Sequence, residues 1–187
     1  MFIRHGERPS FAGLSAEQKD AVHLTENGRA EAESLGRRLG TGVAVMSSPV
    51  LRAVRTAAAV ARGAGINEQS LTRLDSLVDF RIADLDTYEL VKSRLGWSGL
   101  MRAWMDGSLM PEILAPCDHV VRRAIRDVAL AAERANTRRA VAVTHDFVIM
   151  AFLATLRGVR TTAVPYLAGV FVEYDEIASW SRGEVLA

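Results

Sequence analysis

Arg4-His5-Gly6-Glu7-Arg8-Pro9 is the stretch from which the rest of the chain can be read. Only Met1-Phe2-Ile3 precedes it, three apolar residues able to form a strand. A histidine flanked by arginines, with a glycine directly after it, supplies what phosphoryl transfer needs. Imidazole can attack phosphorus, guanidinium forks can hold the equatorial oxygens, and glycine lets the backbone turn close to a ligand. Taken alone, such a stretch reads equally as a basic surface turn after an N-terminal strand. Two further stretches decide between the readings.

Ser47-Ser48-Pro49-Val50-Leu51-Arg52-Ala53 puts an arginine in the first turn of a helix that follows an apolar strand, Val43 to Met46. An arginine there gains nothing from the helix dipole, so a bound anion is a reason for its presence. Val141-Ala142-Val143-Thr144-His145-Asp146 puts a second histidine and a carboxylate between another apolar strand and another helix. In an open α/β sheet, strand C-terminal ends and helix N-termini converge on one crevice that favours anions. Three segments are therefore expected to aim Arg4, His5, Arg8, Arg52 and His145 at one anionic group.

Together these segments resemble the histidine phosphatase superfamily, the group containing phosphoglycerate mutases and histidine acid phosphatases. Arg4, His5 and Gly6 match its Arg-His-Gly, Ser48 to Ala53 its Ser-x-x-x-Arg-Ala helix start, and His145 its late histidine. The likeness runs from residue 1 to roughly residue 160 in the family's usual order of elements. It implies a three-layer α/β/α sandwich with a mostly parallel sheet and a small helical lid. It also implies a metal-independent phosphomonoester hydrolase, without cofactor, in which His5 becomes a phosphohistidine. Arg4, Arg52 and His145 would grip the phosphoryl oxygens, Arg8 would add a contact, and Asp146 would be the general acid. A protonated His145 in that role makes activity favour mildly acidic pH.

Asp146 directly after His145, and Arg8, resemble features of the acid phosphatase and phytase branch, although Pro9 follows Arg8 sooner than that branch's motif has it. The mutase-like branch takes its acid from a carboxylate after the third strand, where Asp75, Asp79 and Asp84 lie. Asp146 is preferred on the motif match. Asp79 is the alternative, and an ordinary ion pair with Arg81 would equally explain it. A simple N-terminal capping role would equally explain Asp146. Two other functions are compatible with these residues: a phosphomutase of the same fold, and a non-catalytic binder of phosphate esters or phosphoproteins.

At 187 residues, 49% hydrophobic and 24% charged, the chain is long enough for one sizeable core and reads as a single domain over 1–187. Its 23 basic and 22 acidic residues leave a net charge of +1, which gives no global field for nucleic acid or an anionic membrane. The expected partner is a phosphorylated small molecule or phosphoprotein, with a homodimer possible through the lid. Lys19 and Lys92 are the only lysines, a bias that GC-rich coding explains more simply than function. Cys117 alone cannot build a disulfide framework or a zinc signature, and His5, His23, His119 and His145 lack ligand spacing. No stretch reads as a signal peptide, and the apolar run Phe147 to Leu156 is too short to span a bilayer, so cytoplasmic residence is expected. The first strand is shorter than the family's usual one, and residues lost upstream would reopen that expectation.

Along the chain, Ser15 to Gln18 predicts a turn of helix and Thr25 the cap of a helix carrying Ala32, Leu35 and Leu39 inward. Ser48 as N-cap and Pro49 at the first helical position start the next helix, with Val50, Ala53, Val54, Ala57 and Ala61 as its buried stripe. Gln69 to Leu74 predicts a third strand. Residues 84–116 show short helical patterns broken by Gly96, Gly99, Gly107 and Pro111. Their methionines and tryptophans suggest the apolar underside of a specificity lid. Pro116 to Ala135 predicts an amphipathic helix, Ala140 to Val143 a buried strand, and Asp146 to Leu156 an apolar helix. Val164 to Tyr174 and Gly183 to Ala187 predict closing strands.

Overall fold

The computed structural model describes residues 1–79, 81–173 and 182–186. Six strands form one sheet: β1 (Phe2–Arg4), β2 (Ala44–Ser47), β3 (Thr72–Arg73), β4 (Ala140–Thr144), β5 (Gly169–Glu173) and β6 (Arg182–Leu186). Their spatial order is β3-β2-β4-β1-β5-β6. The first four run parallel, while β5 is antiparallel to β1 and β6 to β5. Six α-helices connect them: α1 (Ala16–Asp20), α2 (Glu26–Leu39), α3 (Leu51–Gly63), α4 (Leu85–Met105), α5 (Cys117–Arg134) and α6 (Asp146–Arg157).

The apolar strands divide their side chains between two cores, as the two-residue period of a strand requires. Ile3, Val45, Val141 and Val143 join Ala32 of α2 and the alanine-rich face of α3. Phe2, Met46 and Ala142 join α4, α5 and α6 on the opposite face, where the rings of Phe2 and Phe152 lie 4.4 Å apart. Helices thus cover both faces, and the α/β sandwich expected from sequence is the observed architecture.

Helices α2 and α3 approach too closely for side chains at their contact. A Cβ added at Gly63 would lie 2.0 Å from the Glu33 carbonyl oxygen, and one at Gly36 would lie 2.1 Å from that of Val60. Because both obstacles are backbone, the helices would have to separate. Gly63→Ala is therefore expected to lower unfolding stability by about 2–3 kcal/mol, read as a shift of the urea midpoint. An unchanged midpoint would show that the helix pair is not locked by this contact.

Several boundaries differ from expectation. The third strand shrinks to Thr72–Arg73, with a 3-10 turn at Glu68–Ser70 occupying its predicted start. Helix α3 begins at Leu51 with Val50 as N-cap and no side-chain cap bond, so Ser48 and Pro49 lie before the helix instead of starting it. Residues 85–105 form one long helix bent at Gly96, whose φ of 66° breaks the regular backbone. The residues expected beneath a lid divide: Leu100, Met101, Trp104 and Met105 are buried in the core, with Trp104 Nε1 donating to the Ala115 carbonyl at 2.7 Å, whereas Trp97 and Met110 are exposed. The first limb of α4 is mostly open, with Leu85, Leu90 and Leu95 exposed. Helices α5 and α6 and strand β4 fall within two residues of their predicted ends. Closing strands β5 and β6 are present, while Tyr174 and Ala187 lie outside the described residues.

Candidate active site

The strand order places the site. Because β4 inserts between β1 and β2, the chain leaves β1 toward α2 on one face and β4 toward α6 on the other. Such a reversal opens a crevice at the strand C-terminal ends. His5 follows β1 there and His145 follows β4. Backbone bonds fix the register: His5 N–H donates to Thr144 O at 2.9 Å, and Ser48 N–H to Val143 O at 2.9 Å. The two imidazole centroids lie 5.5 Å apart, and both rings are buried.

Each ring's hydrogen bonds identify its tautomer. His5 Nδ1 lies 2.9 Å from the Gly6 carbonyl, which can only accept, so Nδ1 carries the proton and Nε2 keeps its lone pair. His145 Nδ1 lies 3.3 Å from Arg52 Nη2, which can only donate, so that ring is protonated on Nε2, which donates to Ser48 Oγ at 2.8 Å. The Phe147 ring stacks on His145 at 5.5 Å between centroids. Ser48 is thus a partner of His145 and not a helix cap.

Three guanidinium groups surround the histidines. Arg4 donates through Nη1 to the Val164 carbonyl, stacks with its Cζ 4.2 Å from the Tyr166 centroid, and lies 3.5 Å from Asp146. Arg52 donates to the Lys19 carbonyl at 3.2 Å and lies 3.7 Å from the exposed Asp20. Arg8 donates to Pro9 O at 2.7 Å and stacks on Phe11. In all three, Nε is buried without a hydrogen-bond partner among the described residues. Three buried, unsatisfied cationic donors in one crevice are costly unless an anion accepts from them.

The loop from His5 to Glu7 is held from behind. Gly6 N–H donates to Thr56 Oγ1 at 2.9 Å, and Thr56 Oγ1 donates to the Arg52 carbonyl at 2.8 Å. Glu7 accepts from Thr25 Oγ1 at 2.7 Å and Asn27 Nδ2 at 3.3 Å, bonds that hold its carboxyl below the usual range. Gly28 at the start of α2 sits so close that an added Cβ would be 2.4 Å from the Glu7 carbonyl oxygen.

The two candidate acids occupy different surroundings. Asp146 is the first residue of α6; its Oδ1 accepts from Phe147 N–H at 2.9 Å, and its other oxygen faces Arg4. Asp79 accepts from Arg123 Nη1 at 2.5 Å and from Arg81 N–H at 2.7 Å. Partial burial pushes the Asp79 carboxyl up, but these bonds and charges outweigh it and hold the group below its ordinary value. The structure thus brings Arg4, His5, Arg8, Arg52, His145 and Asp146 together and ties Asp79 to α5. Sequence reasoning missed Ser48 in this role, Thr56, Phe11 and Tyr166, whose ring centroid is 5.8 Å from that of His5. Ser48 lies in the Ser-x-x-x-Arg-Ala stretch but was read there as a helix cap, and the other three carry no motif of their own. A cavity of about 590 Å³ between α2, α6 and residues 163–169 shares Tyr166 with the site but contains none of the six residues.

Burial drives the pKa of His5 down to about 3, with the Gly6 carbonyl opposing and the charges of Arg52, Arg4 and Arg8 assisting. Burial, followed by Arg52 and the other neighbouring charges, takes His145 well below its ordinary value as well. Both rings are neutral at mildly acidic pH, which corrects the expectation of a protonated His145. The unfolded chain takes up protons at both positions below pH ~6.5, while the native protein does not. Stability present above that pH is therefore lost as pH falls. Urea midpoints should fall from pH 6.5 to 4.5, and His5→Asn should flatten the dependence. A midpoint independent of pH in this window would mean that the rings protonate in place.

An open α/β sheet whose strand ends carry two buried histidines ringed by arginines defines a class of anion-handling protein. A family model of the histidine phosphatase superfamily (branch 1) matches residues 1–174, and the chain belongs to that superfamily. The match to branch 1 lends no support to the leaning toward acid phosphatases and phytases drawn from Asp146 and Arg8. No curated protein sequence matches the chain. Among solved structures, the fold is similar to mycobacterial hydrolase 1, with a TM-score of 0.64 and 20% identity over 100% of this chain and 95% of that one. It is similar to mycobacterial glucosyl-3-phosphoglycerate phosphatase bound to inorganic phosphate, with a TM-score of 0.63 and 20% identity over 100% and 94% of the two chains. It is also similar to a phosphoglycerate mutase from Bacillus anthracis, with a TM-score of 0.60 and 17% identity over 91% and 85%. At these identities the likeness speaks for the fold. Among the described residues, no helix is long and apolar enough to cross a membrane.

Proposed function

We propose that this protein is a phosphomonoester hydrolase working through a phosphohistidine on His5. The observation carrying this reading is a neutral, buried histidine with a free Nε2 lone pair beside three arginines whose buried Nε groups have no hydrogen-bond partner among the described residues. Arg4, Arg8 and Arg52 hold the phosphoryl oxygens and offset the charge that develops in transfer, a task that needs no metal ion. His5 Nε2 attacks phosphorus as the ester oxygen leaves, and Asp146 gives that oxygen its proton. As a carboxylate, Asp146 then takes a proton from the water that attacks the phosphohistidine, which releases phosphate and restores His5. His145 acts through Arg52, which donates to its Nδ1, and through Ser48, which fixes its tautomer. Asp79, held as a carboxylate by Arg123, is poorly placed to donate a proton.

The substrate is a phosphorylated small molecule or a phosphoprotein, and the exposed first limb of α4 is the part of 84–116 suited to act as a lid. The test is hydrolysis of p-nitrophenyl phosphate from pH 4.5 to 7.5 with chelator present. Turnover supports the reading. Vanadate binding without turnover would favour a mutase awaiting its own substrate or a phosphate-ester binder, and neither binding nor turnover would sink the assignment.

A further inference from the structure

A guanidinium can be held in two ways. A carboxylate takes its N–H edge and neutralises its charge, so an incoming phosphate must compete. An aromatic ring takes its face, leaving both the N–H edge and the charge available. The crevice uses rings to a notable degree: the Tyr166 ring lies under Arg4, and the Phe11 ring serves two arginines at once. Arg8 Cζ is 3.1 Å and Arg52 Cζ 5.3 Å from the Phe11 centroid, both inside the roughly 6 Å over which the ring quadrupole attracts a cation.

We propose that Phe11 is a positioning residue of the anion site, holding Arg8 and Arg52 by their faces so that both remain open to a phosphoryl group. This rests on the reading of the crevice as a phosphoryl site. Arg8 forms no ion pair among the described residues, and its one hydrogen bond goes to the adjoining Pro9 carbonyl. Phe11 is therefore its main restraint from outside the Arg8-Pro9 pair. The charge of Arg8 makes Arg52 harder to keep protonated, after the larger effects of burial, which acts the same way, and of Asp20, which opposes it. A shared π face lowers that repulsive cost and leaves Arg8 without a carboxylate partner among the described residues, while Arg52 also meets the exposed Asp20 at 3.7 Å. The loop backbone that carries the ring is braced. Leu14 N–H donates to the Phe11 carbonyl at 3.1 Å, and Ala12 N–H donates to Ser10 Oγ at 3.1 Å. The same loop leads into α1, whose Lys19 carbonyl accepts from Arg52 and whose Asp20 lies 3.7 Å from it, so residues 9–20 hold Arg52 at three points. Phe11 is half-buried on a surface loop outside both cores, which separates this role from folding.

The test compares wild type, Phe11→Leu and Phe11→Tyr. Leucine keeps an apolar side chain without the π face, and tyrosine keeps the face. Inhibition by inorganic phosphate and vanadate, KM and kcat for p-nitrophenyl phosphate, and melting temperature are measured for each. Phe11→Leu is expected to raise KM and both inhibition constants about tenfold, with kcat changed less and the melting temperature held. Phe11→Tyr should restore wild-type values. Unchanged inhibition constants in Phe11→Leu, or a Phe11→Tyr as weak as Phe11→Leu, would overturn the role of Phe11 while leaving a phosphate-binding wild type intact. A wild type that neither binds phosphate nor turns over would overturn the proposed function and this inference with it.

Discussion

His5→Ala is expected to lower kcat for p-nitrophenyl phosphate by at least about ten thousandfold, because it deletes the atom on which the covalent intermediate forms. The arginines would remain, so vanadate should still bind within a few-fold of wild type. That contrast separates loss of chemistry from loss of the pocket. His5→Asn serves as the folding control, since its amide can still donate locally and it leaves a smaller void among buried neighbours. A loss of only a few-fold in kcat would remove His5 from the nucleophile's role, whatever its position between the arginines.

Asp146→Asn is expected to divide substrates by their leaving group. Asparagine keeps an oxygen able to accept from Phe147 N–H, so the start of α6 is preserved. It cannot protonate an alcohol. For an alkyl phosphate, whose alkoxide leaves poorly, the loss should reach about a hundred- to a thousandfold. For p-nitrophenyl phosphate, whose phenolate leaves unaided, it should stay within about tenfold. Equal losses on both would transfer the acid's role to Asp79 or another carboxylate. Asp79→Asn, by contrast, should act mainly through stability, since it removes the ionised partner of Arg123.

How much of this could be read in the sequence follows from how local each signal is. Histidine and arginine positions were legible because they sit at strand-to-helix junctions, and the apolar runs of β2 and β4 announce those junctions. Thr25 capping α2 was legible for the same reason: a side chain and an N–H three residues away settle it. Ser48 was misread because capping is what a serine before proline and a helix usually does, while its actual partner, His145, is 97 positions away. Met101, Trp104 and Met105 of α4 are core where a lid underside was expected, because composition cannot tell the two apart. Their burial depends on α5 and α6, elements distant in sequence. The expected protonation of His145 failed for a related reason. A motif gives the identity of a charged partner, but desolvation depends on the whole shell around the ring. Phe11 and Tyr166 show the limit most clearly, since aromatic faces have no spacing rule toward arginines that come from other segments.

The place of β4 between β1 and β2 also sets the order in which the molecule can be born. Phe2 pairs with Ala142 and Ala44 with Ala140, so the middle of the sheet waits for a strand that leaves the ribosome after about three-quarters of the chain. Until then β1 and β2 have no common neighbour, and the apolar edges of Ile3 and Val45 are open to other strands. The two histidines of the crevice are brought together by the same late event, since His5 is held by Thr144. Nascent chains halted before β4 would thus lack both the assembled crevice and the cover of their strand edges.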